Sequence, residues 1–118
     1  MATELGRYLR KLRIDHDELL KNMADKLHMS SSMLSAIENA KRNVPKGFAN
    51  TVRKLYGLDD EAQEQLEYCI ALQNDQVQMG LRDLHQGDKR LAFSFARRFG
   101  ELDEGQKAQI RKIINGGD

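Results

Sequence analysis

The stretch LKNMADKLHMSSSMLSAIENAKR, Leu20 to Arg42, constrains the fold more than any other part of the chain. Met23, Ala24 and Leu27 recur at i, i+1 and i+4, which marks one buried helical face, and the pattern stops at His28-Met29. A second helical face follows at once, with Leu34 and Ile37 inward and Met33 at its edge, and Ser30 stands where a hydroxyl accepts from an orphan backbone N–H. Two short helices meeting at a sharp corner are thereby predicted, and the flanking sequence has to hold them. Between its apolar anchors the second helix turns Ser31, Ser32, Ser35 and Asn39 outward. Small polar side chains of this kind let a helix lie close against another surface and hydrogen-bond to it.

At 118 residues the chain has room for one domain, or a small domain with an appendage, and for a core that needs no crosslink. Its one cysteine, Cys69, excludes an internal disulfide framework. Charges interrupt Gly6 to Arg13, so the N-terminus lacks the apolar run of a signal peptide, and a cytoplasmic location is expected. No apolar stretch approaches the roughly 20 residues needed to span a bilayer. The net charge of +1 conceals a split: residues 1–56 carry 11 Lys or Arg against 6 Asp or Glu, and residues 57–118 carry 8 against 12. A basic module joined to an acidic one suits a nucleic-acid-binding head with a solvated assembly tail, because only the head has to attract phosphate.

Taken in order, the first helix is predicted from about Thr3 to Ile14, with Leu5, Leu9, Leu12 and Tyr8 on one face. Helices over about 19–28 and 31–40 follow. Asn43-Val44-Pro45 then breaks the chain, and Pro45 suits the first turn of a fourth helix whose stripe is Phe48, Val52, Leu55 and Tyr56 and whose end is Gly57. Asp59 or Asp60 caps a fifth helix to about Gln73, with Leu66, Cys69, Ile70 and Leu72 on its apolar face and an acidic first turn that complements the helix dipole. From Asn74 to Arg82 the alternation of Val77, Met79 and Leu81 with Gln76, Gln78 and Gly80 fits a short strand, with a plain extended linker as the alternative. A lone strand needs a partner, and the same segment of a second subunit would supply one. Asp88 to Phe99 forms an aromatic helix with Phe93, Phe95 and Phe99 spread around it. Asp103 and Gln106 open a last helix by a capping-box pattern, with Ile110, Ile113 and Ile114 as its expected buried face.

Catalysis has little to work with. His16, His28 and His85 sit in unrelated polar or junction contexts without ligand spacing, so no metal, no cofactor and no enzymatic role are expected. Cys69 reads as a small buried hydrophobe, since no basic cluster lies nearby in sequence to lower its pKa.

The spacing Met23-Ala24, Leu27, Met29-Ser30, Leu34-Ser35, Ile37-Glu38 and Lys41-Arg42, followed by Pro45, resembles the helix-turn-helix domain of phage repressors and Xre-type regulators, over about residues 4–58. In that family the second helix of the pair lies in the major groove and the first crosses the backbone. The resemblance implies that Ser31, Ser32 and Ala36 face bases with Met33 beside them, that Asn39, Lys41 and Arg42 meet the backbone, and that Arg13 and Glu38 form a partly buried ion pair. Ser30 and Ser35 join the same expected DNA-binding face, with phosphate anchored by backbone N–H groups at the helix start plus Lys21 or Asn22. Three positions depart from the family: His28 and Ala40 replace the usual glycines, and Leu20 replaces a phosphate-binding Gln. A left-handed Ala40 would cost on the order of 1 kcal/mol, which favours a recognition helix that runs on past it. The reading helix lacks Arg, Gln and Asn in its first turns, so direct readout would rest on serine hydroxyls and a methionine contact with thymine methyls.

The expected architecture is therefore all-α. It comprises a five-helix repressor-like head, assigned to residues 1–58, and a mainly helical assembly tail, 59–118, holding at most one short strand. The expected function is a sequence-specific DNA-binding regulator, a repressor acting as a homodimer through Val77, Met79, Leu81, Phe93, Phe95 and Phe99. Packing of the aromatic helix within its own chain is the bland alternative. Two other functions compete: an antitoxin that binds a toxin protein and its own promoter, and an interaction module that has lost DNA binding, as Leu20 and Ala40 would allow.

Overall fold

Leu5, Leu9, Met23, Leu34, Ile37, Val52 and Leu66 are fully shielded from solvent, and the stripes they belong to converge from five different helices. The computed structural model describes residues 3–116, which form α1 (Glu4–Asp15), α2 (Leu20–Lys26), α3 (Ser31–Glu38), α4 (Phe48–Tyr56), α5 (Asp60–Asn74), α6 (Gln86–Arg98) and α7 (Glu104–Ile114). One 3-10 turn, Phe99–Glu101, follows α6, and there is no strand among the described residues. The fold is all-α, as the periodicity requires.

The chain divides into two units between Gln78 and Met79. In the first, α1 packs on α2, α3 and α5, α2 packs on α3, and α4 packs on α5. The division falls beyond α5, twenty residues after Leu58, because Leu66 and Cys69 of α5 belong to the same core as Leu5, Leu34 and Val52. Polar contacts reinforce that placement: Tyr8 Oη donates to the Ala62 carbonyl at 2.9 Å, and Gln63 Nε2 donates to Asn50 Oδ1 at 2.9 Å. The expected charge split changes with the boundary. Residues 57–78 hold six Asp or Glu, four of them on α5, and no Lys or Arg, so this acid belongs to the first unit.

Side-chain caps start most of these helices. Thr3 Oγ1 accepts from Gly6 N–H at 2.9 Å, Ser30 Oγ from Met33 N–H at 3.0 Å, and Asp59 Oδ1 from Ala62 N–H at 2.8 Å. Asn22 works in reverse, its Oδ1 accepting from Leu19 N–H at 2.8 Å ahead of α2. Pro45 does not open α4: it lies in a turn closed by Phe48 N–H to the Pro45 carbonyl at 3.2 Å, and α4 starts after a left-handed Gly47.

Among the helix ends, that of α3 departs from expectation. Asp17, His28 and Ala40 all take positive φ, at 52°, 57° and 60°. Behind each, the amide two residues past the cap bonds the carbonyl of the third-last helical residue. Glu18 N–H reaches Arg13 O at 2.8 Å, Met29 N–H reaches Ala24 O at 3.0 Å, and Lys41 N–H reaches Ala36 O at 2.8 Å. The α3 helix therefore stops at Glu38 and does not run on past Ala40. Bonds that hold its last carbonyls outweigh the strain at one alanine.

In the second unit α7 opens as expected, with Gln106 N–H donating to Asp103 Oδ1 at 2.8 Å and Asp103 N–H to Gln106 Oε1 at 3.0 Å. Two other expectations fail. Val77, Met79 and Leu81 form no strand, since the segment has no pairing edge among the described residues. Ile113 and Ile114 are not a buried face but are strongly exposed, with Ile110 half-buried.

Replacing Ala40 with Gly removes the left-handed strain of about 1–2 kcal/mol while raising unfolded-chain entropy by a smaller amount. Ala40→Gly should accordingly stabilise the protein by about 0.5–1 kcal/mol, read as a higher urea midpoint at unchanged slope.

Candidate nucleic-acid interface

An eight-residue helix such as α3 is too short to persist unaided, so its position depends on what grips it. Leu34 and Ile37 anchor its inner face in the core. At its C-terminal end three side chains converge from distant parts of the sequence. Arg13 of α1 makes a bidentate pair with Glu38, Nη1 to Oε2 at 2.5 Å and Nη2 to Oε1 at 3.2 Å, with both side chains 8% exposed. Thr3 Oγ1 donates to the Glu38 carbonyl at 2.6 Å while accepting from Gly6 N–H, so one hydroxyl caps α1 and ties it to α3. Gln73 Nε2, at the far end of α5, donates to the Ile37 carbonyl at 2.5 Å. The ion pair matches the resemblance. Thr3 and Gln73 escaped the sequence reading, because contacts 35 and 36 residues away leave no local pattern.

Gly6 belongs to the same junction. A Cβ there would stand 2.8 Å from the Glu38 carbonyl oxygen, so only glycine lets α1 approach so closely.

The outward side of α3 carries the expected residues. Ser32 and Asn39 are exposed, and Ser31, Ser35 and Ala36 are half-exposed. Ser30 uses its oxygen lone pair on the cap, which leaves its O–H to donate outward. Asn39 Nδ2 folds back on α3, donating to Ser35 O at 2.9 Å and lying 3.3 Å from Ser35 Oγ. Met33 is half-buried against the core, and its sulfur receives Arg42 Nη1 at 3.3 Å. Arg42 thus lies back across α3, while Lys41 stands exposed in the bend that follows it. Lys21 is exposed in the first turn of α2, and Leu20 packs at the edge of the core. His28 supplies the left-handed residue of the turn between α2 and α3.

A second polar cluster joins the ends of α1, α2 and α4. Tyr56 Oη donates to Glu18 Oε1 at 2.6 Å, Lys26 pairs with the same carboxylate, Lys26 Nζ sits 4.9 Å from the Tyr56 ring centre, and His16 meets that ring edge-on at 5.0 Å. Burial alone would raise the Glu18 carboxyl, but the bonds from Lys26 and Tyr56 outweigh it and hold the group below its usual range. Burial, with the Glu18 bond, pushes the Tyr56 phenol well above its own. Cys69 is buried, and burial raises its thiol, the opposite of an activated nucleophile. Among the described residues no group of three His, Cys, Asp or Glu could hold a metal ion, and no helix is long and apolar enough to cross a membrane.

Removing one partner of the buried pair strands the other. Glu38→Ala should cost about 3 kcal/mol, and the apolar double variant Arg13→Met/Glu38→Leu should lose much less, a comparison made on urea midpoints. The Glu18 cluster predicts a pH signature. Its carboxyl is depressed in the folded state, so its contribution is complete above the unfolded glutamate value of about 4.3 and fades as pH falls through the lower folded value. The stability gap between the parent and Glu18→Gln should be constant from neutral pH to about 5 and close progressively in acid.

The geometry of two short helices joined by a tight turn, the second capped, gripped at its end and polar outside, agrees with the family comparison. The model of the Helix-turn-helix domain matches residues 4–66, which runs from the first residue of α1 into the middle of α5. Searches of curated proteins and of solved structures returned no match. With more than half of its length covered by that match, the chain belongs to the helix-turn-helix domain family.

Proposed function

We propose that the protein is a sequence-specific DNA-binding transcriptional regulator of the Xre and phage-repressor type. It acts as a homodimer on a two-fold operator and represses by excluding polymerase. The observation that carries this reading is α3 itself: a short helix with serines outward, fixed at its C-terminal end by Arg13, Thr3 and Gln73. A helix entering the major groove needs such a fixed orientation and a slim polar face. Ser31, Ser32 and Ala36 face the bases with Met33 at their flank. Ser30, Ser35, Asn39, Lys21, Lys41 and Arg42 meet the phosphates. A face so poor in long base-reading side chains gives modest discrimination per half-site, and two heads on half-sites about 34–36 Å apart supply the rest. Assembly is assigned to the second unit and the segment leading into it, through Val77, Met79, Leu81, Phe93, Phe95 and Phe99, all of them exposed large apolar side chains.

Selection of bound duplexes from a random pool, followed by filter binding over a range of salt, tests the reading. An enriched two-fold sequence is the expected result, and a failure to retain any duplex at low salt refutes DNA binding. Lys41→Ala/Arg42→Ala should weaken binding to selected and random duplexes alike and flatten the slope of log K against log salt by roughly 1 per lost phosphate contact. For Arg42, leaving Met33 is part of binding, so Met33→Leu should alter affinity less than the loss of the guanidinium does.

A further inference from the structure

Residues 79–116 form two helices whose apolar side chains have no cover. None of these residues is buried, and Leu91, Phe93, Phe95, Phe99, Ile113 and Ile114 are between 45% and 76% exposed. The helices are still locally well specified. A reciprocal cap opens α7, the Phe95 and Phe99 rings lie 5.4 Å apart, and Lys107 Nζ sits 6.0 Å from the Phe99 ring centre. Helices of 13 and 11 residues are nevertheless marginal in water, because the cost of nucleation offsets the few bonds that follow. Their persistence has to come from burial of the apolar face.

We propose that α6 and α7 fold only by pairing with the same two helices of a second copy, so that association and tail folding are one equilibrium. This rests on the homodimer reading above and extends it to α7 and to the folded state of the tail. Area supports a second copy. Leu91, Phe95 and Phe99 recur at four-residue steps on one side of α6, and with Ile113 and Ile114, each leaving on the order of 100 Å² open, they offer roughly 500 Å² toward the ~800 Å² that each partner of a standard interface contributes. The α6 side chains alone fall well short of that, which brings Ile113 and Ile114 of α7 into the surface. Charge selects the arrangement. In α7, Asp103 and Glu104 stand at the start and Arg111 and Lys112 at the end, so antiparallel two-fold pairing sets each acidic start beside the other's basic end. Parallel pairing would stack like on like. The consequence for the head is that DNA occupancy becomes steeply dependent on protein concentration, since a dissociated chain carries one head and an unfolded tail.

Light scattering and far-ultraviolet circular dichroism on the full chain, from submicromolar to high micromolar concentration, test this. The expected result is a fall from two chains to one on dilution, with roughly a third of the helical ellipticity lost over the same range. Phe95→Asp/Phe99→Asp should give a monomer that lacks that third at every concentration and keeps the thermal transition of the first unit, since both side chains lie outside its core. Dissociation with the ellipticity intact overturns coupled folding and leaves the dimer standing. A monomer at every concentration with full helicity overturns both. Helix gained only on adding phosphatidylserine vesicles assigns the surface to lipid and overturns the pairing.

Discussion

The C-terminal turn of α3 is the point on which the first unit depends. Its last carbonyls and the Glu38 carboxylate would be orphaned if the helix simply ended inside the protein, and buried orphans cost more than the bonds they forgo. Thr3, Arg13 and Gln73 resolve this from the start of α1, the end of α1 and the end of α5. Each of those bonds is directional, and together they define the angle at which α3 leaves the core. Apolar contact through Leu34 and Ile37 supplies the free energy of docking, whereas these polar contacts exclude alternative registers. The outward face of α3 is thereby relieved of any structural duty and can be small and polar.

Net stability does not explain the ion pair. A charged pair at this depth gains little over an apolar pair of the same volume, because desolvating a guanidinium and a carboxylate nearly cancels their attraction. What the pair adds is geometry. The planar fork accepts one carboxylate orientation, and Glu38 is the last residue of the helix it orients. Gly6 serves the same end by a different route, admitting the backbone of α1 to within contact of the Glu38 carbonyl. Close approach, fork and hydroxyl bond all act on one residue.

Much of this was legible in the sequence, and the failures share causes. The helical periods of Leu5, Leu9, Met23, Leu34, Val52 and Leu66 are local signals, and all of these residues are buried. Ser30, Asp59 and Asp103 announced their caps by residue type, and Arg13–Glu38 followed from family resemblance. The end of α3 was missed, where the non-glycine Ala40 takes positive φ. Nothing in Ala40 signals a stop that is imposed by amide-to-carbonyl bonds and by Thr3 and Gln73 acting from a distance. The tail was misread for another reason. An amphipathic stripe such as Ile110, Ile113 and Ile114 looks the same whether its cover comes from its own chain or from another, so periodicity says that a face is apolar without saying what it meets. Val77, Met79 and Leu81 alternate as a strand does, yet a strand exists only with a partner edge.

Placing α5 in the first unit also changes how that unit would approach DNA. Had residues 57–78 belonged to a separate tail, the head would carry 11 Lys or Arg against 6 Asp or Glu. With α5 packed on α1 and α4, residues 57–78 add six carboxylates, four of them on α5, and no Lys or Arg to the same body. Gln73, near the end of α5, donates to the Ile37 carbonyl, so that end of the helix meets α3. Within the screening length of about 8 Å at physiological salt, such carboxylates oppose the approach of any polyanion and the Lys and Arg of α1 to α4 favour it. A polyanion is therefore favoured where Lys and Arg are exposed and disfavoured along α5. Because α3 itself holds no Lys or Arg, any attraction of a polyanion to that side of the unit comes from the elements around the helix.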